Sequence, residues 1–198
     1  MLRTVRILLW MMVALALAGM AFLVIRGRAE PEPASAQTNF VDFGGPFTLT
    51  GANGRPFSSQ RLADKPHVIF FGFTHCPDVC PTTLARLVRL RREIGNEDAF
   101  EILFVTVDPE RDGPAEVGKY AELFDSPVIG LTGSPAQIQQ VQRQFGIYSQ
   151  KSPDGRGGYS VDHTASVLLF GRDGKFVATI APEEQDSVAL DKLRRISA

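Results

Sequence analysis

The chain has 198 residues, 44% of them hydrophobic and 22% charged, with a net charge of -1, a globular composition that excludes disorder and collagen-like repeats. Beyond residue 37 it carries 17 Lys and Arg against 20 Asp and Glu, a mildly acidic body without the basic footprint of a nucleic-acid-binding protein. Two cysteines, Cys76 and Cys80, exclude a multi-disulfide scaffold and a four-cysteine zinc module, so whatever they do they do as a pair.

A short N-terminus, residues 1–6, precedes an uncharged apolar run from Ile7 to Ile25. Nineteen residues at about 1.5 Å each span the roughly 30 Å hydrocarbon core, and the run reads as a single membrane anchor. Arg3 and Arg6 before it and Arg26 and Arg28 after it balance the positive-inside count. A short leading end stays in the cytoplasm, which puts the body in the oxidising periplasm of a bacterial inner membrane, or equivalently the mitochondrial intermembrane space. Residues 26–40, rich in Pro, Ala and Glu, read as an extended tether. Ala34-Ser35-Ala36 within it resembles a signal-peptide cleavage site, the alternative to a retained anchor.

Residues 41–198 read as one domain. Phe47 to Leu49, a turn at Asn53-Gly54, and Pro56-Phe57 predict a hairpin. Val68 to Phe71 is a continuous apolar run, the mark of a strand buried on both faces, and its phenylalanines, with Phe73, are core. From Pro81 to Ile94, apolar residues recur at helical spacing. Arg86, Arg89, Arg91 and Arg92 fall between them and read as a solvated face, with a dock for an acidic partner as the alternative. A strand over Ile102 to Val107, a helix over Pro114 to Phe124, a strand over Val128 to Leu131 and a Ser134-capped helix from Pro135 to Phe145 follow. A hairpin over Ala165 to Phe170 and Lys175 to Ile180, then a helix over Asp186 to Ile196, closes the chain. The order is that of an α/β, thioredoxin-like fold with an N-terminal hairpin extension, an analogy that assigns no function by itself.

Cys76 and Cys80 fall where the first long strand passes into a helix, and free backbone N–H groups there favour a thiolate. Residues four apart on a helical turn have Cα atoms roughly 6 Å apart, within reach of a disulfide. The spacing therefore suits an oxidised bridge, a redox pair, or two thiolates facing one ion. A third ligand would decide, and there are three histidines. His67, at a strand edge, reads as solvated. His75 adjoins Cys76 and either tunes it or faces water. His163, just ahead of the strand expected near Ala165, stands where thioredoxin-like folds usually place a cis-proline against the cysteine loop. Two thiolates and an imidazole suit copper, Cu(I) especially, while a histidine satisfied in the core is the plainer account. Asp108-Pro-Glu-Arg-Asp112 reads as a turn and helix start, with a carboxylate cluster as the alternative.

Five segments together resemble the Sco/SenC family of membrane-anchored copper chaperones for cytochrome c oxidase assembly. They are Gly44-Gly-Pro-Phe-Thr-Leu49, Phe71-Gly-Phe-Thr-His-Cys-Pro-Asp-Val-Cys-Pro-Thr-Thr-Leu84, Val105-Thr-Val-Asp-Pro-Glu-Arg-Asp112, Val161-Asp-His-Thr164 and Gly174-Lys-Phe-Val177. The resemblance implies a thioredoxin-like domain in which Cys76, Cys80 and His163 bind one copper ion, as Cu(I) or Cu(II). It implies a carrier rather than an enzyme, receiving copper from an upstream donor and delivering it to the binuclear copper centre of oxidase subunit II. His75, Asp78 and Asp162 are candidates to orient the ligands. The rival reading is a thiol-disulfide oxidoreductase in which Cys76 and Cys80 keep the oxidase cysteines reduced.

Overall fold

The computed structural model describes residues 2–27, 43–155 and 157–198, and the chain divides into the units Met1–Phe40 and Val41–Ala198. In the first, α1 (Leu2–Gly27) contains the apolar run. Among the described residues no helix is long and apolar enough to cross a membrane, so the anchor rests on the sequence. The expected tether beyond Gly27 and the small-residue site at Ala34 to Ala36 lie outside the described residues.

In the second unit, β1 (Thr48–Gly51) and β2 (Pro56–Ser58) form the expected hairpin, and a 3₁₀ turn leads to β3 (His67–Gly72). There follow α2 (Val79–Ile94), β4 (Glu101–Thr106), α3 (Pro114–Glu122), β5 (Ile129–Thr132) and α4 (Pro135–Gln144). Next come β6 (Ser149–Pro153) and β7 (Tyr159–His163), then β8 (Val167–Phe170), β9 (Phe176–Ile180) and α5 (Asp186–Ser197). One sheet runs in the order β2-β1-β5-β4-β3-β8-β9, while β6 and β7 pair separately. Strands β3, β4 and β5 are parallel, with antiparallel β1 and β8 on their flanks. Such central strands are covered on both faces, and every residue of β3 is buried.

Pairing of Gly72 with Thr106 brings the carboxyl ends of β3 and β4 level. The loops that leave them, Phe73 to Asp78 and Val107 to Gly113, therefore lie side by side where open α/β sheets hold their ligands. Val107 N–H seals the junction by donating to Gly72 O at 2.7 Å. Behind this edge α3 sits directly on β5, because a Cβ at Gly130 would fall 2.5 Å from the Val117 carbonyl oxygen. Ser134 and Gln137 close a reciprocal capping box that starts α4 where the sequence predicts.

Two expectations are corrected. His67 is 6% exposed: pairing opposite Phe170 stacks its ring on that phenylalanine at 5.0 Å, and burial lowers its pKa. The α2 arginines form a solvated face only in part: Arg89 and Arg92 are exposed, whereas Arg91 and Arg86 are not. Arg91 is buried and donates to Phe100 O, Pro127 O and Ser126 Oγ; Arg86 and Arg89 converge on Asp186 of α5, and Arg92 reaches Asp125 O. His163 stands just ahead of β8, as expected, and itself ends β7, whose pairing with β6 the sequence pattern does not signal.

Candidate metal centre

Cys76 lies in the loop after β3 and is half-buried; Cys80, in the first turn of α2, is fully buried. Both are free thiols. The helix opens without a side-chain cap from Asp78. Instead the Cys80 N–H, one of the donors a helix start leaves without an internal partner, points at Cys76 Sγ at 3.4 Å. The sulfur thus occupies the capping acceptor's place at the positive end of the helix dipole. The hydrogen bond from the Cys80 thiol is the main influence holding the Cys76 thiol down at about 4, against the opposing effect of burial. His163 and the backbone N–H groups of Asp78 and Cys80 add smaller contributions in the same direction. Cys80 is pushed well above the usual thiol range, first by donating to Cys76 and then by burial. The opposite shifts make Cys76 the first of the pair to ionise, with Cys80 keeping its proton longer.

Across the loop, β7 delivers His163 with its Nε2 3.6 Å from Cys80 Sγ. Its Nδ1 lies 3.0 Å from Thr164 O; a carbonyl only accepts, so Nδ1 is the donor there, and in the neutral ring the lone pair falls on Nε2. The ring is fixed edge-on by Phe70 and Phe73. A histidine locked through one nitrogen while the other faces sulfur is how ligating imidazoles are held. Among the described residues no three His, Cys, Asp or Glu side chains already stand in a cluster ready for a metal ion. What brings these three together is hydrogen bonding: removal of the Cys80 proton leaves two thiolates and an imidazole lone pair on neighbouring elements.

The carboxylates of Asp108 and Asp112 are both buried, a packing the turn reading missed. Asp112 accepts from Thr74 N–H at 2.9 Å, Thr74 Oγ1 at 2.5 Å and Thr106 Oγ1 at 2.6 Å, tying the cysteine loop to the end of β4. Asp108 accepts from Tyr159 Oη at 2.9 Å and from Arg111 Nε, while Arg111 also donates to Tyr159 O at 3.0 Å. The other orienting candidates lie further out. His75 engages Thr74 and Asp112, Asp78 accepts from Thr82, and Asp162 accepts from Ser152 across the β6–β7 pair. A cleft of about 400 Å³ opens here, lined by Phe73, His75, Pro77, Arg111 and Tyr159 among others.

A thioredoxin-like domain with a cysteine pair at the start of its first helix and a histidine brought across from a separate hairpin defines the class. The chain belongs to the SCO1/SenC family, whose model matches residues 35–198. It is 35% identical over 158 residues to the mitochondrial protein SCO2 of Saccharomyces cerevisiae, covering 78% of this chain and 52% of the yeast protein. The chain thus spans about half the length of that relative. Among solved structures, Bradyrhizobium japonicum ScoI with copper bound shares 41% identity at a TM-score of 0.70, covering 78% of this chain and 99% of that one. BsSco, described as having a disulfide switch and as a member of the Sco family of cytochrome c oxidase assembly proteins, is also similar. It shares 28% identity at a TM-score of 0.61, covering 77% of this chain and 92% of that one.

Proposed function

We propose that this protein is a membrane-anchored copper metallochaperone that carries one copper ion on Cys76 Sγ, Cys80 Sγ and His163 Nε2. Its cargo is destined for the binuclear copper centre of cytochrome c oxidase subunit II. The observation that carries the reading is the 3.6 Å approach of His163 Nε2 to Cys80 Sγ, with Nδ1 committed to Thr164 O. Soft sulfur selects Cu(I) over hard cations, and imidazole extends the set to Cu(II). Copper in the solved ScoI relative and the oxidase-assembly role stated for BsSco support both the cargo and its destination.

The chain's residues divide the work. Cys76, already ionised, is the first sulfur to engage, and Cys80 follows by giving up its proton. Because Cys76 is half-exposed while Cys80 is buried, transfer to an acceptor protein begins at Cys76. The nineteen-residue apolar run Ile7 to Ile25 holds the domain at the bacterial inner membrane, facing the periplasm, or at its mitochondrial equivalent. A copper titration of the reduced full chain in detergent tests the site: one ion per chain is expected, and retention of full affinity in both Cys76→Ala and Cys80→Ala would overturn it.

A second reading has its own support. A thiolate at a helix start, next to a thiol and free of any disulfide, is chemically competent for thiol-disulfide exchange. The same pair would then reduce cysteines of the oxidase copper site.

A further inference from the structure

The two halves of the site arrive on separate elements, the sulfurs on the loop after β3 and the imidazole on β7. Resting on the ligand reading above, we propose that the Asp108–Asp112 turn is the positioning element that sets the imidazole against the sulfurs, with Arg111 as its central residue.

The turn grips both halves. Asp112 holds Thr74 through the backbone N–H and the hydroxyl. Arg111 lies over the ring of Phe73, the residue before Thr74, at 5.8 Å, and Phe73 in turn meets the His163 ring edge-on at 5.8 Å. The same guanidinium lies over the Tyr159 ring at 3.8 Å and donates to Tyr159 O. Tyr159 opens the strand that His163 ends. Asp108 fixes both partners, accepting from Arg111 Nε and Tyr159 Oη. Arg111 Nη2 is buried with no hydrogen-bond acceptor, so part of the guanidinium's interaction energy comes from the aromatic faces. The end of the hairpin nearest His163 has its own tie, Gln142 Nε2 to Ser149 Oγ at 2.7 Å, and Ser149 pairs with His163. Arg111 therefore governs the tilt of the hairpin against the cysteine loop rather than its formation.

The consequence differs by oxidation state. Two thiolates satisfy Cu(I) by themselves, whereas Cu(II) takes a larger, nitrogen-containing set. Loosening the turn should cost Cu(II) far more than Cu(I). In the full chain, Arg111→Gln is expected to weaken Cu(II) binding about 10- to 100-fold, the range for residues that orient ligands, and to shift the Cu(II) absorption and paramagnetic-resonance spectra. Cu(I) affinity should stay within about 3-fold, since both sulfurs remain. In the metal-free protein, amide exchange across Val161 to His163 should accelerate. Tyr159→Phe, which deletes one hydroxyl, should move each quantity the same way by less, and carries the test should Arg111→Gln fail to fold. Equal losses of Cu(I) and Cu(II) would mean general destabilisation and overturn the proposal. Unchanged exchange and Cu(II) spectra in both variants would do the same. His163→Ala separates the two readings: if it leaves the Cu(II) spectrum unaltered, the ligand assignment fails, while the exchange rates still report on the turn's grip.

Discussion

Gly72 and Cys80 are so close that a Cβ on the glycine would lie 2.9 Å from Cys80 Sγ, and 3.0 and 3.1 Å from the rings of Phe104 and Phe70. All four residues are enclosed in the core. The missing side chain at the end of β3 is what lets the first turn of α2 seat its sulfur against the sheet. Gly72→Ala should therefore destabilise the fold by about 1–3 kcal/mol through overpacking and displace the Cys80 thiol. Urea unfolding checks the first effect and copper competition the second. A variant as stable as the parent, with unchanged copper affinity, would show that the space is not needed.

The proton shared by the cysteines gives a count. Relative to the ordinary thiol value of 9.0, Cys76 is lowered to about 4 and Cys80 is raised. A lowered value favours the fold above 9.0, an advantage lost as pH falls through about 4; the raised one favours it below 9.0 and loses that advantage as pH rises through its folded value. Between about 4 and 9.0 the folded pair holds one proton and the unfolded pair two, so the pair's contribution to stability rises with pH across that window. Copper binding near pH 6–7 should correspondingly release about one thiol proton rather than two. Measuring copper affinity against pH checks this, with an expected slope near one decade per pH unit from the thiols. Alkylation of Cys76 in the folded chain should be nearly independent of pH from 6 to 8, unlike that of the unfolded chain.

Legibility from sequence followed burial pattern. Val68 to Phe71 and Ile102 to Val105 announce central strands because both faces are covered and apolar residues run without a break. The β6–β7 pair carries Ser149-Gln-Lys-Ser-Pro153 and Tyr159-Ser-Val-Asp-His163, in which only Val161 is buried, with no alternating apolar face to read. His163 is legible by its chemistry and by the family resemblance, while the strand presenting it has no sequence signal. The Asp108 to Asp112 segment was legible as a turn, because Pro and Asp signal one locally. Its buried bonds to Thr74 and Tyr159 depend on residues 38 and 51 positions away.

The α2 arginines show the same limit and yield a comparison. Arg91 and Arg89 look alike in sequence, but Arg91 is 1% exposed and satisfies two backbone carbonyls and Ser126. Arg91→Leu leaves Phe100 O and Pro127 O without that donor and should cost about 2–4 kcal/mol. Arg89 pairs with Asp186 at an exposed position, so Arg89→Ala should change stability by less than about 1 kcal/mol. Urea midpoints for the two variants decide it, and equal losses would contradict the distinction.

His163→Ala separates carriage from exchange. Disulfide exchange needs two sulfurs, a thiolate and access. Cys80 and the helix start keep Cys76 ionised, with His163 only a smaller contributor, so the variant should still cycle between dithiol and disulfide in solution. Its stability should fall modestly, because the ring also packs against Phe70 and Phe73. Copper should behave differently. With the Nε2 lone pair gone, Cu(II) loses its nitrogen donor and its spectrum should change, while Cu(I) remains on two sulfurs with reduced affinity. In cells the variant should fail to load the oxidase copper centre although its thiols still react. Purified oxidase from cells expressing it should thus contain less copper in that centre, at equal levels of the variant protein. If His163→Ala supported full oxidase assembly while Cys76→Ala and Cys80→Ala did not, only the sulfurs would be required, and thiol-disulfide reduction would replace copper delivery as the function of the site.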